Sequence, residues 1–147
     1  IYVSYVRSLL EQSCTIWHSS LSGENSDDLE RVQKSALKII LKDNYKNYTN
    51  ALNFLEFETL KDRREFLCLH FAKKSVRNDK FKDVLPVNTK FHKMSTGNYE
   101  KFHINNANTA RLENSPVIFM QKLLNQNNWN LIIQLLPVNF CIVCHAL

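Results

Sequence analysis

The scarcity of glycine is the feature that most constrains the fold of this chain. Only two glycines and three prolines occur among its 147 residues. Strand-rich folds need both residue types for their turns and bulges, so this scarcity favours helices. Apolar residues also recur at helical rather than alternating spacing. The sequence therefore predicts an all-α fold, a small helical bundle with helix in more than about half of its residues.

Two antiparallel helices are expected between residue 2 and about residue 41. The first covers 2–17, and its apolar face comprises Tyr2, Val6, Leu9, Leu10, Ser13 and Trp17. The polar stretch 19–23 ends this helix. Asn25 is then the expected N-cap of the second helix, with Asp28 three residues later. The expected buried face of the second helix comprises Leu29, Val32, Ala36, Ile39 and Ile40.

Further helices are expected after residue 50. Residues 51–55 are predicted to form a turn or two of helix, and a long helix follows to about residue 78. Thr59 and Asp62 have the spacing of a capping box at the start of that long helix. Ser115 and Pro116 are typical of another helix start, with Ser as N-cap and Pro at the first helical position.

The chain divides into three predicted parts. Residues 1–78 form a helical region, and 79–125 form a long irregular connection followed by a short helix. Residues 126–147 form an irregular apolar tail, which has no Lys, Arg, Asp or Glu from residue 129 onward. Pro137 and Asn139 interrupt the tail, so a membrane span is not expected. Ile1 already lies inside a periodic apolar pattern, which indicates a piece of a longer protein.

The cysteines and the lack of a signal peptide indicate an intracellular chain, cytoplasmic or nuclear. Cys14 and Cys68 lie inside apolar helical patterns, and the other two cysteines lie in the tail, so no secreted disulfide framework is visible. The tail motif Cys141-x-x-Cys144-His145 matches the attachment pattern of c-type haem or offers three zinc ligands. It has no matching second half, and coincidence explains it best. No cofactor is predicted.

The net charge of +5 is compatible with nucleic acid or with an ordinary basic surface. One basic strip on the second helix lies opposite the expected apolar face and comprises Arg31, Lys34, Lys38 and Lys42. Like charges at this spacing slightly disfavour a helix unless an anion lies alongside. A second strip on the long helix comprises Arg63, His70, Lys74 and Arg77. The predicted ligand is the RNA or DNA backbone, and the alternative is a solvated face, with Arg63 and Arg64 paired to nearby acids.

Other chemistry-bearing residues have simpler interpretations. Asp27, Asp28 and Glu30 form an acidic cluster that the positive end of a helix explains without a metal ion. Trp17 and His18 have the composition of a base-stacking site, although a Trp at the end of an amphipathic helix is more often part of a core. No nucleophile–base pair or metal cluster is visible, so no catalytic residue and no enzyme activity are predicted.

Three segments, in the same order and spacing, resemble the region downstream of the palm in LINE-type (non-LTR) retrotransposon reverse transcriptases. Residues 7–18 contain R-x-x-L-E followed by I-W-H, although Gln12 replaces an aromatic residue of the family pattern. Residues 29–36 read L-E-R-V-Q-K-S-A. Residues 52–64 read L-x-x-L-x-F-x-T-L followed by R-R. The resemblance covers 1–78 and fades towards residue 124.

The resemblance implies that 1–78 corresponds to the thumb and the helical segment after it, which would flank a nucleic-acid duplex. The palm aspartates that would hold two catalytic metal ions precede this region and have no counterpart here. A catalytically inert fragment of an RNA-directed DNA polymerase is therefore expected. Its expected partners are the nucleic-acid backbone and the palm and fingers of the parent polymerase. The alternative is a helical structural or protein-interaction remnant with no nucleic-acid role.

Overall fold

The computed structural model describes residues 1–86, 102, 104 and 106–126, and it confirms the all-α class. The α-helices in this part of the chain are α1 (Ser8–Glu11), α2 (Cys14–Trp17), α3 (Gly23–Leu41), α4 (Tyr48–Leu55), α5 (Leu60–Val76), α6 (Ala110–Glu113) and α7 (Pro116–Gln126). A π-helical segment, Tyr2–Arg7, leads directly into α1. The described residues contain no strand, and more than half of the chain is helical within them alone.

A break at Gln12 and Ser13 interrupts the first predicted helix, so the prediction of a continuous helix over 2–17 is wrong. Ser13 adopts the left-handed conformation, with φ of 54°. The indole Nε1 of Trp17 donates to the carbonyl of Gln12 at 2.9 Å, which satisfies an acceptor that the helix no longer uses. Leu9, predicted to be buried, is 71% exposed.

Helix α3 begins earlier than predicted. Its N-cap is Ser22, whose Oγ accepts from the backbone N–H of Asn25 at 3.2 Å. Asn25 therefore lies inside the first turn, and its prediction as the cap is wrong. Two neighbouring acids of this helix, Asp27 and Asp28, are exposed.

The buried face of α3 also differs from the prediction. Gln33, Leu37 and Leu41 are buried, whereas Val32 and Ile39 are 43% and 74% exposed. Hydropathy alone favoured the face with more aliphatic residues, but the structure packs α4 and α5 against the neighbouring face. The deciding contacts are made by Leu37 and Leu41 against α4 and by Gln33 against more distant segments.

The starts of α5 and α7 agree with the sequence, whereas α4 begins three residues earlier than predicted. Thr59 Oγ1 accepts from the backbone N–H of Asp62 at 3.1 Å at the start of α5. Ser115 precedes α7, and its Oγ accepts from the N–H of Ile118 at 3.4 Å. The short helix predicted near residues 51–55 is α4, which Asn47 caps through the N–H of Asn50.

Two apolar clusters form the core. The first lies between α3 and α4 and contains Leu37, Leu41, Ala51 and Leu52, with Tyr45, Tyr48, Leu55 and Phe57 packed against it. The second lies between α5 and α7 and contains Ala72, Leu85, Phe102, Met120 and Leu124, with Val76 and Val117 packed against it. Helix α5 also packs against α2 and α3, so it connects the two halves of the bundle.

The predicted connection is only partly described. Asp79–Phe81 forms a 3-10 turn after α5, and α6 forms one further helical turn before α7. Most of the predicted irregular stretch, residues 87–101 together with 103 and 105, lies outside the described residues. Of the apolar tail predicted over 126–147, Gln126 is the last residue of α7. The rest of the tail, including Cys141, Cys144 and His145, lies outside the described residues.

Candidate nucleic-acid interface

Lys34 and Lys38 project from neighbouring turns of α3 above two tyrosine rings. The Lys34 Nζ lies 5.0 Å from the ring centroid of Tyr48, and the Lys38 Nζ lies 5.7 Å from that of Tyr45. Tyr48 is the first residue of α4, and Tyr45 precedes it in the connection from α3. Both rings are half-buried against the α3–α4 cluster. The short α3–α4 connection and the start of α4 therefore supply an aromatic ring for a cation–π contact with each of two exposed ammonium groups.

Neither of these lysines forms an ion pair with a carboxylate in the described part of the chain. A cation held over an aromatic ring keeps its charge and its outward hydrogen-bond donors. The two side chains are thus ordered by their rings while the ammonium groups stay available to an anion in solvent. We call these two residues, Lys34 and Lys38, the lysine pair.

The other two residues of the predicted strip are placed differently. Arg31 NH1 lies 2.8 Å from Asp28 Oδ1, in a pair with both side chains more than half exposed. Such a pair is weak and competes only slightly with another anion. Lys42 follows the last residue of α3 with φ of 46°, so its backbone has left the helix. The prediction of a straight strip that extends to Lys42 is therefore wrong.

The second predicted strip is divided by the structure. Arg63 forms an ion pair with Glu11, and its side chain is only 17% exposed, so it joins α5 to α1. Its predicted role in phosphate binding is unsupported, because the guanidinium is already paired and largely covered. Lys74 and Arg77, by contrast, are exposed near the end of α5. His70 is also exposed, and its ring lies beside that of Phe66.

Gln33 holds the lysine pair's helix in place, a role that no sequence pattern indicates. Its Oε1 accepts from the Tyr2 hydroxyl at 2.8 Å. Its Nε2 donates to the Tyr48 hydroxyl at 3.1 Å and to the carbonyl of Glu58 at 3.0 Å. Tyr48 in turn donates to Glu30, and burial and this hydrogen bond raise the pKa of Tyr48. The ring beneath Lys34 is therefore fixed by a buried polar network.

The predicted acidic cluster is dispersed into separate structural roles. Glu30 accepts from the Tyr48 hydroxyl and, at 2.9 Å, from the backbone N–H of Lys61 in the first turn of α5. Asp28 pairs with Arg31, and Asp27 is exposed. Within the described residues, no three His, Cys, Asp or Glu side chains are grouped closely enough to hold a metal ion.

Trp17 and His18 belong to the packing around Arg64. The Arg64 guanidinium lies over the Trp17 ring at 5.8 Å, and the His18 ring meets Phe119 of α7 edge-on at 5.4 Å. Arg64 itself is completely buried. Its NH2 donates to Ser26 Oγ at 2.9 Å and its Nε donates to His18 Nδ1 at 3.4 Å. These contacts favour the packing interpretation of Trp17 and His18 over base stacking.

Helix α3 itself carries an exposed apolar strip on the side away from the lysine pair. It comprises Val32, Ile39 and Ile40, which are 43%, 74% and 46% exposed. These are three of the residues that the sequence predicted to be buried. The same helix thus presents cations on one flank of its buried face and aliphatic side chains on the other.

Comparisons with known proteins give no relative for this arrangement. No protein-family model matches the chain, and no curated protein or solved structure shows significant similarity to it. In the described ranges, no helix combines the length and the apolar character that crossing a membrane requires.

Proposed function

We propose that this chain binds the phosphate backbone of RNA or DNA through the lysine pair, as part of the thumb and post-thumb region of a LINE-type reverse transcriptase. The observation that carries the proposal is the position of Lys34 and Lys38 over Tyr48 and Tyr45. Two ordered, exposed ammonium groups without carboxylate partners among the described residues form a site suited to anions.

The spacing of the lysine pair suits a polynucleotide. Four residues of α-helix rise about 6 Å, which corresponds to about two nucleotides of one strand along a duplex. Ammonium groups contact phosphates as point charges and carry no sequence information. Because Tyr45 and Tyr48 are half-buried beneath the ammonium groups, their faces are not offered to bases. The proposed binding is therefore electrostatic and independent of base sequence.

Other cations extend the proposed surface. Arg31 is exposed beside the lysine pair, and Lys42 is exposed just beyond the end of α3. Lys74 and Arg77 form a separate exposed group near the end of α5. We assign the primary contact to the lysine pair, because among the exposed cations of the described residues only these two lie over aromatic rings.

The family assignment rests on the three sequence segments that resemble the reverse transcriptases. In the intact polymerase, the palm would supply the catalytic aspartates, and this region would contribute binding without chemistry. The exposed strip of Val32, Ile39 and Ile40 supports a second candidate, a protein-interaction role with no nucleic-acid contact. An apolar strip of this kind is more typical of a protein interface than of a phosphate-binding surface.

The salt dependence of binding distinguishes the two candidates. For contacts from the lysine pair alone, the logarithm of the association constant should fall with the logarithm of salt concentration at a slope of about −2. Exchange of both lysines in Lys34→Gln/Lys38→Gln should flatten the measured slope by about two units. Fluorescence anisotropy of a labelled duplex between low and physiological salt measures this change.

Lys80→Gln/Lys82→Gln is the matched control, since it removes the same charge from exposed residues on the 3-10 turn after α5 and beyond. The control should leave the slope nearly unchanged. Equal loss of slope in both variants would show that only net charge matters, and the lysine pair would then have no special role. Binding that is absent, or insensitive to salt, would favour the protein-interaction candidate.

A further inference from the structure

The interface between α2 and α5 brings together two thiols and a buried cation. The two helices run antiparallel here. Cys14 of α2 contacts Cys68 of α5, and Trp17, one turn further along α2, contacts Arg64, which lies one turn before Cys68 on α5. Cys68 and Arg64 are four residues apart and share one face of α5. Neither the fold nor the proposed phosphate binding uses the thiols chemically.

Both thiols are free, and both are buried. Cys14 is 3% exposed and Cys68 is fully covered. The Cys68 thiol donates a hydrogen bond to the backbone carbonyl oxygen of Cys14, with the Cys68 Sγ 3.9 Å from that oxygen. The two residues are 54 positions apart in the chain, so only the tertiary fold creates this pair.

Arg64 gives the pair an electrostatic environment suited to a thiolate. Its guanidinium is completely buried, has no carboxylate within ion-pair distance among the described residues, and has an NH1 with no hydrogen-bond partner. A buried cation of this kind favours a nearby negative charge. Interaction with the Cys68 side chain lowers the pKa of the Cys14 thiol, and Arg64 acts in the same direction. The same interaction raises the pKa of the Cys68 thiol, and burial adds to this effect.

We propose that Cys14 and Cys68 form a redox modification site, in which a hydroperoxide converts the buried thiol pair into a disulfide joining α2 to α5. The Cys14 thiolate attacks one peroxide oxygen, the O–O bond breaks, and the departing oxygen takes up a proton. Cys14 is then a sulfenic acid. The Cys68 thiol gives up its proton as its sulfur attacks the Cys14 sulfur, the S–O bond breaks, and the hydroxide that leaves takes up that proton to become water. Two thiols are oxidised and one peroxide is reduced.

The local structure explains how an oxidant reaches a covered pair. Helix α2 has only four residues and follows the break at Gln12 and Ser13. A short helix that begins after such a break opens at lower free energy than the long helices around it. Opening exposes Cys14 while Cys68 stays on α5. Cys14 is therefore the sulfur that is oxidised first, and Cys68 resolves the intermediate.

Peptide mapping of the full chain tests the proposal, with hydrogen peroxide as the probe. After treatment of the folded protein, the expected product is a peptide that links Cys14 to Cys68, with a mass loss of two hydrogens that dithiothreitol reverses. A disulfide closing this loop should raise Tm by about 10 °C. Replacement of the tail cysteines, in Cys141→Ser/Cys144→Ser, should leave the linked peptide and the Tm shift unchanged.

Two single variants establish the order of the steps. Cys68→Ser should accumulate a sulfenic acid at Cys14 that dimedone traps, because no resolving thiol is present. Cys14→Ser should leave Cys68 largely unmodified at the same peroxide concentration. Formation of the linked peptide only in urea, a mixture of disulfides with the tail cysteines in place of the Cys14–Cys68 link, or faster trapping at Cys68 than at Cys14 would overturn the proposal.

Discussion

The side-chain amide of Gln33 forms hydrogen bonds with three separate parts of the chain. It receives a hydrogen bond from Tyr2 near the start of the chain and donates to Tyr48 on α4 and to the carbonyl of Glu58 before α5. A buried amide is tolerated because its donors and acceptor are all used. The same side chain thereby sets which face of α3 is buried.

Removal of the Gln33 amide should lower the free energy of unfolding, and the size of this effect should depend on whether the Tyr2 hydroxyl is present. Gln33→Leu should lower the free energy of unfolding by about 2 to 4 kcal/mol, since buried polar partners lose their hydrogen bonds. Tyr2→Phe should cost about 1 kcal/mol in the parent protein and almost nothing in the Gln33→Leu background. Urea unfolding of the four proteins measures the coupling. Strictly additive costs would show that the Tyr2 hydroxyl is satisfied without Gln33.

Individual residue roles were the least predictable level of this molecule. Charge and spacing identify Lys34 and Lys38 as candidate anion-binding residues. Their tyrosine partners lie in the α3–α4 connection and at the start of α4, and the positions of those rings depend on the tertiary fold. Arg63 looked like a member of a phosphate-binding strip because its partner, Glu11, is 52 positions away. Arg64, for which the sequence suggests pairing with a nearby acid, is instead buried against Ser26 and His18, 38 and 46 positions away. Sequence shows the charge of a side chain, whereas its burial depends on distant neighbours.

At the level of elements, the bounds of the long helices are more predictable from the sequence than the faces that they bury. Thr59 and Ser115 cap through hydrogen bonds to residues three positions away, so their signals are local. The break at Ser13 depends on Trp17 and on packing against α5, and no glycine or proline marks it. The face of α3 was mispredicted because two apolar arcs were available and only tertiary contacts select one.

The end of α4 offers a test at this level. Glu56 follows α4 in the left-handed conformation, with φ of 54°, and Phe57 N–H bonds back to the carbonyl of Leu52 at 2.8 Å. This pattern normally favours glycine at the left-handed position. Glu56→Gly should therefore raise the free energy of unfolding by about 0.5 to 1 kcal/mol, because a strained side chain is removed from an exposed site.

Glu58→Gly is the matched control for that change. Glu58 is also an exposed glutamate but does not have a positive φ. Glycine there should lower the stability, because it increases only the entropy of the unfolded chain. Chemical denaturation of both variants should give shifts of opposite sign. Destabilisation by Glu56→Gly would mean that the glutamate side chain stabilises the turn by more than the strain costs.

At the level of the whole molecule, α5 connects two apolar clusters that no single segment of sequence reveals. The all-α class followed from the scarcity of glycine and from helical spacing, which are properties of the entire chain. The division of the core into an α3–α4 cluster and an α5–α7 cluster did not follow. It depends on Leu85 and Phe102, which lie within the stretch predicted to be irregular.

The pH dependence of stability reflects the same packing. Burial lowers the pKa of His18 below its usual 6.5, and Arg64 adds to this effect. Because the unfolded state binds the proton more readily, this contribution is present above about pH 6.5 and is lost as the pH falls through the folded pKa. Burial raises the pKa of Tyr2 from 10.0 to about 12. Its contribution is present below pH 10 and is lost as the pH rises towards 12.

Thermal unfolding across this range should therefore show a plateau between about pH 6.5 and 10, with lower Tm on both sides. His18→Gln should reduce the decline on the acidic side. His70→Gln, which changes an exposed imidazole, should leave the profile nearly unchanged. An acidic decline of the same size in His18→Gln would assign that decline to carboxylates rather than to His18.

The position of α2 between α5 and α7 also affects the order in which the chain acquires structure during synthesis. A ribosome delivers Cys14 and Trp17 long before their partners Cys68, Arg64 and the residues of α7. Closing loops of this length delays the contacts that bury α2. The hydrogen-bond partner of the Tyr2 hydroxyl is translated sooner, since Gln33 follows Tyr2 by only 31 residues. The earliest translated helices of this segment are thus among the last to acquire their tertiary contacts.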